Sequence, residues 1–278
     1  MTRVLVTGAG GQLGRELLEV FADVDVVGAD HRQLDVADRD AVLEAVTSLR
    51  PDIVVHAAAW TAVDACEADP DRALAVNALA CRHVAEGARR VGAHVVHVST
   101  DYVFDGTKAD AYDEWDAPNP LSVYGRSKWG GELELDQTST VVRTSWVFGR
   151  HGANMVKTVL RLAAGEDPIA FVDDQRGCPT AAADLAAVIR ILALDALPGV
   201  FHVTNGGPTT WYELAREVVR LSGRDPDRVA PVTTATLNRP APRPMNSVLD
   251  NAALRLSGFA PLPDHREPLA RLVKELTS

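Results

Sequence analysis

Short runs of continuous apolar residues alternate along this chain with longer stretches whose apolar positions recur every three or four residues. Val4–Val6, Val24–Ala29, Ile53–Ala59, Val95–Ser99 and Val141–Val147 read as strands. Between them, Leu13–Phe21, Asp38–Leu49, Pro70–Val91 and Tyr124–Leu135 carry helical periodicity. Asp38 predicts a helix cap, Pro70 a helix start and Gly92 a helix stop. The strand runs are largely apolar rather than alternating, as parallel strands covered on both faces should be. Regular alternation with right-handed crossovers predicts an α/β fold, a doubly wound parallel sheet.

After Gly149 the pattern loosens. Ala181–Leu194, Trp211–Leu221 and Pro268–Leu276 predict helices, and Val200–Val203 a strand. Pro231, Pro240, Pro242 and Pro244 break regular structure between them. The expected division is a Rossmann-like nucleotide-binding domain over residues 1–149, its sheet extended by parts of 181–205. Residues 150–278 then form mainly a smaller substrate-binding region over the carboxyl edge of the sheet.

A chain of 278 residues, 46% hydrophobic and 24% charged, is large enough to bury a substantial core. Its net charge of −10 argues against general binding to nucleic acid or an anionic membrane. An anionic substrate therefore calls for a local arginine or lysine. Cys66, Cys81 and Cys178 are scattered and odd in number, with neither metal-ligand nor disulfide spacing, which suits a reducing cytoplasm. No apolar run approaches the ~18 residues of a membrane span. Residues 3–7 lead directly into a glycine loop without the pattern of a signal peptide.

That loop, Gly8-Ala9-Gly10-Gly11-Gln12-Leu13-Gly14, lies between the first strand and the first helix. Gly8 permits the tight turn, Gly11 close approach of backbone to a pyrophosphate, and Gly14 close helix packing. Amides at the helix start favour the phosphate charge. The order strand, glycine turn and helix makes this a dinucleotide site rather than a plain turn. Asp30 ends the second strand, where a carboxylate accepts from ribose hydroxyls and repels a 2′-phosphate. Arg32, two residues on, favours that phosphate, so NADH and NADPH both stay open. Asp35 and Val36 are placed to flank adenine, although Asp35 equally suits a turn cap. Ala57, Ala58 and Ala59 let a cofactor pass close to a strand end.

Tyr124 and Lys128 stand four residues apart, on one helix face. A neighbouring ammonium should favour the phenolate and bring the phenol closer to neutral titration. Lys128 is also placed to reach a ribose. Ser99-Thr100-Asp101 follows the fourth strand at the ligand-binding edge, and Thr100 can hold a substrate carbonyl beside Tyr124. The pair alone is common on helices; the glycine loop and Thr100 together turn it into a candidate hydride-transfer site.

These three pieces resemble the extended short-chain dehydrogenase/reductase family, and more closely its dTDP-sugar reductases. The likeness runs nearly end to end. It rests on Gly8–Gly14, Ala57–Asp64, Ser99–Gly106, Tyr124–Lys128, Arg143–Phe148, Asp174–Thr180 and Arg243–Ser247. It implies reduction by NADPH or NADH at C4 of dTDP-4-dehydro-β-L-rhamnose, giving dTDP-L-rhamnose for cell-surface polysaccharide. Tyr124 would be the proton donor, with Lys128 tuning it and binding ribose. Thr100 and Asp101 would touch substrate, Trp146 would pack on the sugar, and Gln175 and Arg243 would line the nucleotide-sugar pocket. An arginine such as Arg243 suits a diphosphate.

Two features sit apart from the resemblance. His56 stands where a small polar residue such as Asn is expected. The family is associated with magnesium, for which Glu16 is a candidate, but no carboxylate cluster is visible and no metal ligand is assigned. Another nucleotide-sugar reductase or an epimerase is an alternative. A dehydratase would need Glu after Thr100-Asp101, where this chain has Tyr102. A non-catalytic subunit, like the regulatory one of methionine adenosyltransferase, is the remaining reading. No heptad marks an oligomer, which leaves a homodimer open.

Overall fold

The computed structural model describes residues 1–278. In chain order come β1 (Arg3–Thr7), α1 (Gln12–Val20), β2 (Asp25–Ala29), α2 (Arg39–Leu49), β3 (Ile53–His56), α3 (Val63–Ala68), α4 (Pro70–Leu74), α5 (Ala80–Val91), β4 (His94–Thr100), α6 (Val123–Leu133) and β5 (Thr140–Thr144). There follow β6 (Val147–Phe148), α7 (Met155–Ala164), β7 (Ile169–Val172), β8 (Arg176–Gly177), β9 (Thr180–Ala181) and α8 (Ala182–Leu194). The chain ends through β10 (Gly199–His202), β11 (Thr209–Thr210), α9 (Trp211–Leu221), β12 (Val229–Val232), α10 (Thr234–Leu237), α11 (Ala252–Leu256) and α12 (Arg266–Thr277).

Six strands form one parallel sheet in the order β2-β1-β3-β4-β5-β10. The order reverses between β1 and β3, and in such sheets the ligand crevice opens at that reversal, beyond the carboxyl ends of the strands. Strand side chains alternate between two cores. Val4, Val6, Ile53 and Val55 meet Leu17 of α1, Phe21 just after it, and Leu185 and Ile189 of α8. Leu5, Val54 and Val95 meet Val42 and Val46 of α2 and Val84 and Ala88 of α5. Each fully buried side chain of this size contributes about 1.5–3 kcal/mol. A separate core around Val156, Val159, Leu214, Val218 and Leu269 joins α7, α9 and α12 to the β7–β12 pair. No helix is long and apolar enough to cross a membrane.

Local chemistry sets the helix ends. Asp38 accepts from the amides of Asp40 and Ala41, and Ser122 from that of Gly125. Thr210 and Glu213 form a reciprocal capping box at the start of α9. Gly92, with φ of 77°, stops α5 in the left-handed region.

Three predicted elements differ from the structure. The strand expected over Ile53–Ala59 ends at His56, opposite Thr7, the last residue of β1, and the alanines instead run past the glycine turn. The single helix expected over Pro70–Val91 is α4 and α5 joined by a π-helical turn, Ala75–Leu79, which carries the buried Asn77. The strand expected over Val141–Val147 ends at Thr144. Trp146 then adopts φ of 47°, and Val147–Phe148 leave the sheet to pair with β9.

Candidate active site

The turn after β1 is built on close backbone contact. Gly8 has φ of 70°, and a Cβ there would lie 2.7 Å from the Ala58 backbone. A Cβ on Gly14 would lie 2.2 Å from the Gly8 carbonyl, so α1 packs directly on the turn. No side chain caps α1 at Gly11. Its first amides therefore keep the free donors and positive dipole end that suit a pyrophosphate. Gly8, Gly11, Gln12, Leu13, Gly14, Ala57 and Ala59 line a cleft of about 530 Å³. A second chamber of about 440 Å³ holds Asp30, Asp35 and Val36 with Ala57, Ala58 and Ala59. All the residues expected to hold a dinucleotide thus border these two spaces. The Gln12 side chain also ties the turn to the far side of the cleft. Its Nε2 donates to the Val147 carbonyl at 3.0 Å and its Oε1 accepts from Asn154 at 2.7 Å. Asp30 is turned toward its own loop, accepting from the Arg32 amide at 2.8 Å, and that bond holds its carboxyl below the ordinary range.

A third cleft, of about 500 Å³, lies beyond the end of β4. It shares Thr61, Thr100, Asp101, Tyr124, Trp146 and Val147 with the cleft over the glycine turn. The two spaces meet at the phenol and hydroxyl of the expected chemical site. Gly125 lets α6 approach this point, since a Cβ there would lie 2.2 Å from the Tyr102 carbonyl.

Electrostatics at the junction differ from the sequence expectation. Tyr124 is raised above the ordinary phenol value, first by burial, with the Thr100 hydroxyl pulling the other way. The Lys128 ammonium faces elsewhere, donating to the Val98 carbonyl at 2.6 Å and to His97 Nε2 at 3.2 Å. Burial lowers Lys128 in turn. The expected lowering of Tyr124 by Lys128 is therefore corrected, because desolvation of the phenolate dominates. Burial also pushes Asp101 up to about 7. Its Oδ1 accepts from Thr100 Oγ1 at 3.0 Å, while its Oδ2 has no hydrogen-bond partner.

The outer wall of the third cleft is aromatic and basic. Trp146 stacks on Trp211 with ring centroids 3.6 Å apart. Gly177 makes room for it: a Cβ there would lie 2.4 Å from the indole. Gln175 and Arg243 border the same cleft, as do Trp211, Arg239 and Phe171, which sequence reasoning missed. No local pattern marks those three, because they come from three separate elements. Arg243 does not stand free. Asp64 accepts from it at 3.0 and 3.1 Å, from Arg239 at 3.1 Å and from the Ala241 amide at 3.2 Å. Asp174 ties the start of the same segment through the Thr234 amide and hydroxyl.

Glu16, the magnesium candidate, is buried and paired with Arg150 at 3.2 Å. A carboxylate already matched by a guanidinium is a poor fit for a divalent cation, which prefers several anionic oxygens. The three cysteines are buried and unbridged.

Comparison with known proteins bears on this site. Residues 1–278 match the family described as RmlD substrate binding domain. The dTDP-4-dehydrorhamnose reductase of Streptomyces griseus is 46% identical over 280 residues, covering 96% of this chain and 91% of that protein. The dTDP-4-keto-6-deoxy-D-glucose reductase of Streptomyces niveus is 41% identical over 266 residues, covering 94% and 92%. The crystal structure of dTDP-4-dehydrorhamnose reductase from Bacillus anthracis in complex with NADP superposes with a TM-score of 0.95 at 39% identity. It covers 99% of this chain and 100% of that one.

Proposed function

The chain belongs to the RmlD substrate-binding-domain family, and from that premise we propose that it reduces the C4 ketone of dTDP-4-dehydro-β-L-rhamnose to give dTDP-L-rhamnose. It is an NAD(P)H-dependent oxidoreductase, as its curated relatives and its NADP-bound structural neighbour support. The observation that carries the reading is the meeting of the dinucleotide cleft and the third cleft at Thr100, Asp101, Tyr124 and Trp146. Residues 1–149 accordingly serve mainly the cofactor and residues 150–278 mainly the sugar nucleotide.

NAD(P)H, when bound, supplies the hydride. The glycine turn and the free amides of α1 hold its pyrophosphate, and Asp30, Asp35 and Val36 line the adenosine end. Thr100 and Tyr124 converge on the ketone oxygen. Burial keeps Tyr124 protonated at neutral pH, the state needed to give a proton to the developing alkoxide. Lys128, one turn along the same helix, offsets the charge of the phenolate left behind. Asp101, beside Thr100, keeps an unpartnered oxygen for a sugar hydroxyl. Trp146 forms the floor for the sugar ring, and Gln175, Arg239 and Arg243 form the outer wall, where a diphosphate meets guanidinium groups.

The Streptomyces niveus relative favours a second substrate, dTDP-4-keto-6-deoxy-D-glucose, reduced by the same chemistry at C4. The deciding experiment follows loss of NADPH absorbance, and separately of NADH, with each sugar nucleotide. Fast oxidation with dTDP-4-dehydrorhamnose is expected. Oxidation only with the glucose-derived ketone would move the assignment to that sugar. None with either, despite tight cofactor binding, would sink the reductase reading.

A further inference from the structure

Beneath the active site, Lys128 enters a hydrogen-bond chain that no sequence motif marks. Its side chain is buried, 2% exposed, and its Nζ donates to His97 Nε2 at 3.2 Å. Because Nε2 accepts, the imidazole proton must sit on Nδ1; Cys81 Sγ lies against the same ring, 3.6 Å from Nδ1 and 3.8 Å from Nε2. The Cys81 thiol donates onward to the Asn77 carbonyl at 3.4 Å. Asn77 Nδ2 donates to Ser127 Oγ at 3.0 Å, and Ser127 donates to the Tyr124 carbonyl at 2.8 Å. This run of polar contacts leaves α6 at Lys128 and returns to it at Tyr124. His56 backs the arrangement: its ring stacks on His97 with centroids 5.4 Å apart, and Thr7 Oγ1 fixes its Nδ1 at 2.8 Å.

We propose that His97 is a positioning residue of this reductase. As a neutral acceptor it holds the Lys128 ammonium under the junction of the clefts, and the ammonium itself selects the tautomer protonated on Nδ1. The inference rests on the reductase reading for its consequence, not for its geometry. Both histidines are kept neutral by burial first and by the Lys128 charge second. The groups facing Lys128 are His56 and His97 from the sheet, Cys81 from α5 and Glu132 from α6, and Glu132 is already matched by Arg143 at 2.7 Å. His97 alone among them accepts directly from the ammonium. His56, Cys81 and His97 also bring ligand atoms within 4.8 Å of one another, a donor set that suits zinc. A cation there would face a fixed ammonium already bonded to one of the three ligands, so the group serves the lysine instead.

The first test needs no substrate. Nitrogen NMR of the histidine side chains should show His97 neutral and protonated on Nδ1 from about pH 6 to 9; a proton on Nε2, or titration within that range, overturns the proposal. The second compares variants in the reductase assay. His97→Leu should lose roughly 10- to 100-fold in kcat, the scale of a misplaced catalytic group. The basic limb of its pH profile should move to lower pH, since a buried ammonium without its acceptor gives up a proton more readily. His97→Gln, which keeps an acceptor, should recover most of both. Equal losses in the two variants, or an unmoved limb in His97→Leu, would overturn it. Should His97→Leu not fold, His97→Phe, which keeps a ring but no acceptor, should move the same limb; an unmoved limb in His97→Phe counts against the proposal. A wild type that turns over neither sugar nucleotide would instead retire the reductase reading and leave the tautomer result standing.

Discussion

Tyr124 and Asp101 show how burial sets the chemistry of single residues. Both face the junction of the clefts, and both are held toward the protonated state by loss of water. Replacing Tyr124 with Phe should lower kcat by about 10²- to 10⁴-fold, the usual worth of a general acid. NADPH binding, measured by fluorescence titration, should change little. Asp101 makes a prediction about stability. Its carboxyl ionises near the ordinary 3.8 in the unfolded chain and near 7 in the folded one. The folded protein thus keeps a proton that the unfolded chain has already lost. That stabilisation is complete below 3.8 and disappears as pH rises to about 7. Asp101→Asn should flatten the dependence of unfolding free energy on pH across this window, which denaturant titrations at several pH values would read.

At the scale of elements, the active site depends on departures from regular structure. The π-helical turn over Ala75–Leu79 swings Asn77 inward, where it holds the Trp60 amide at 2.8 Å and Ser127 at 3.0 Å. Helix α6 then packs on that turn so closely that a Cβ on Gly131 would lie 2.4 Å from the Asn77 carbonyl. Gly131→Ala should destabilise the protein by roughly 1–3 kcal/mol through overpacking. A calorimetric Tm equal to that of the wild type would show that the two helices can separate without cost. The turn at Trp146, with φ of 47°, similarly aims an indole at the third cleft instead of continuing β5.

Across the whole molecule, the third cleft is closed by a segment from the far end of the chain. Residues 234–247 are tied to Asp174 at their start, to Asp64 in the middle and to Arg176 at their end. Asp64 follows β3 and lies 179 residues before Arg243, so the carboxylate edge of one region fastens the guanidinium wall of the other. Asp64→Ala should leave this segment loose in the free protein. Ordering it would then be charged to substrate binding. The expected result is a KM for the sugar nucleotide raised about three- to tenfold with a smaller loss in kcat, since a tenfold change needs only about 1.4 kcal/mol. Faster hydrogen exchange across residues 234–245 should accompany it, and unchanged exchange would mean that Asp64 is not the fastening point.

The amino-acid sequence by itself determined the parallel α/β sheet, the glycine turn and the placing of Thr100, Tyr124 and Lys128 at the sheet's carboxyl edge. Those features follow from apolar runs, caps and glycines that act over a few residues, and local signals survive in a linear reading. Only the tertiary structure decided the protonation of Tyr124, because desolvation depends on everything packed around the phenol. It also decided the aromatic pairing of Trp146 with Trp211 and the fastening of Arg239 and Arg243 by Asp64, where each partner comes from a distant segment. The partner of Lys128 belongs to the same class: the four-residue spacing from Tyr124 is legible on the helix, but His97 lies across the core on β4, and folding alone brings the two together.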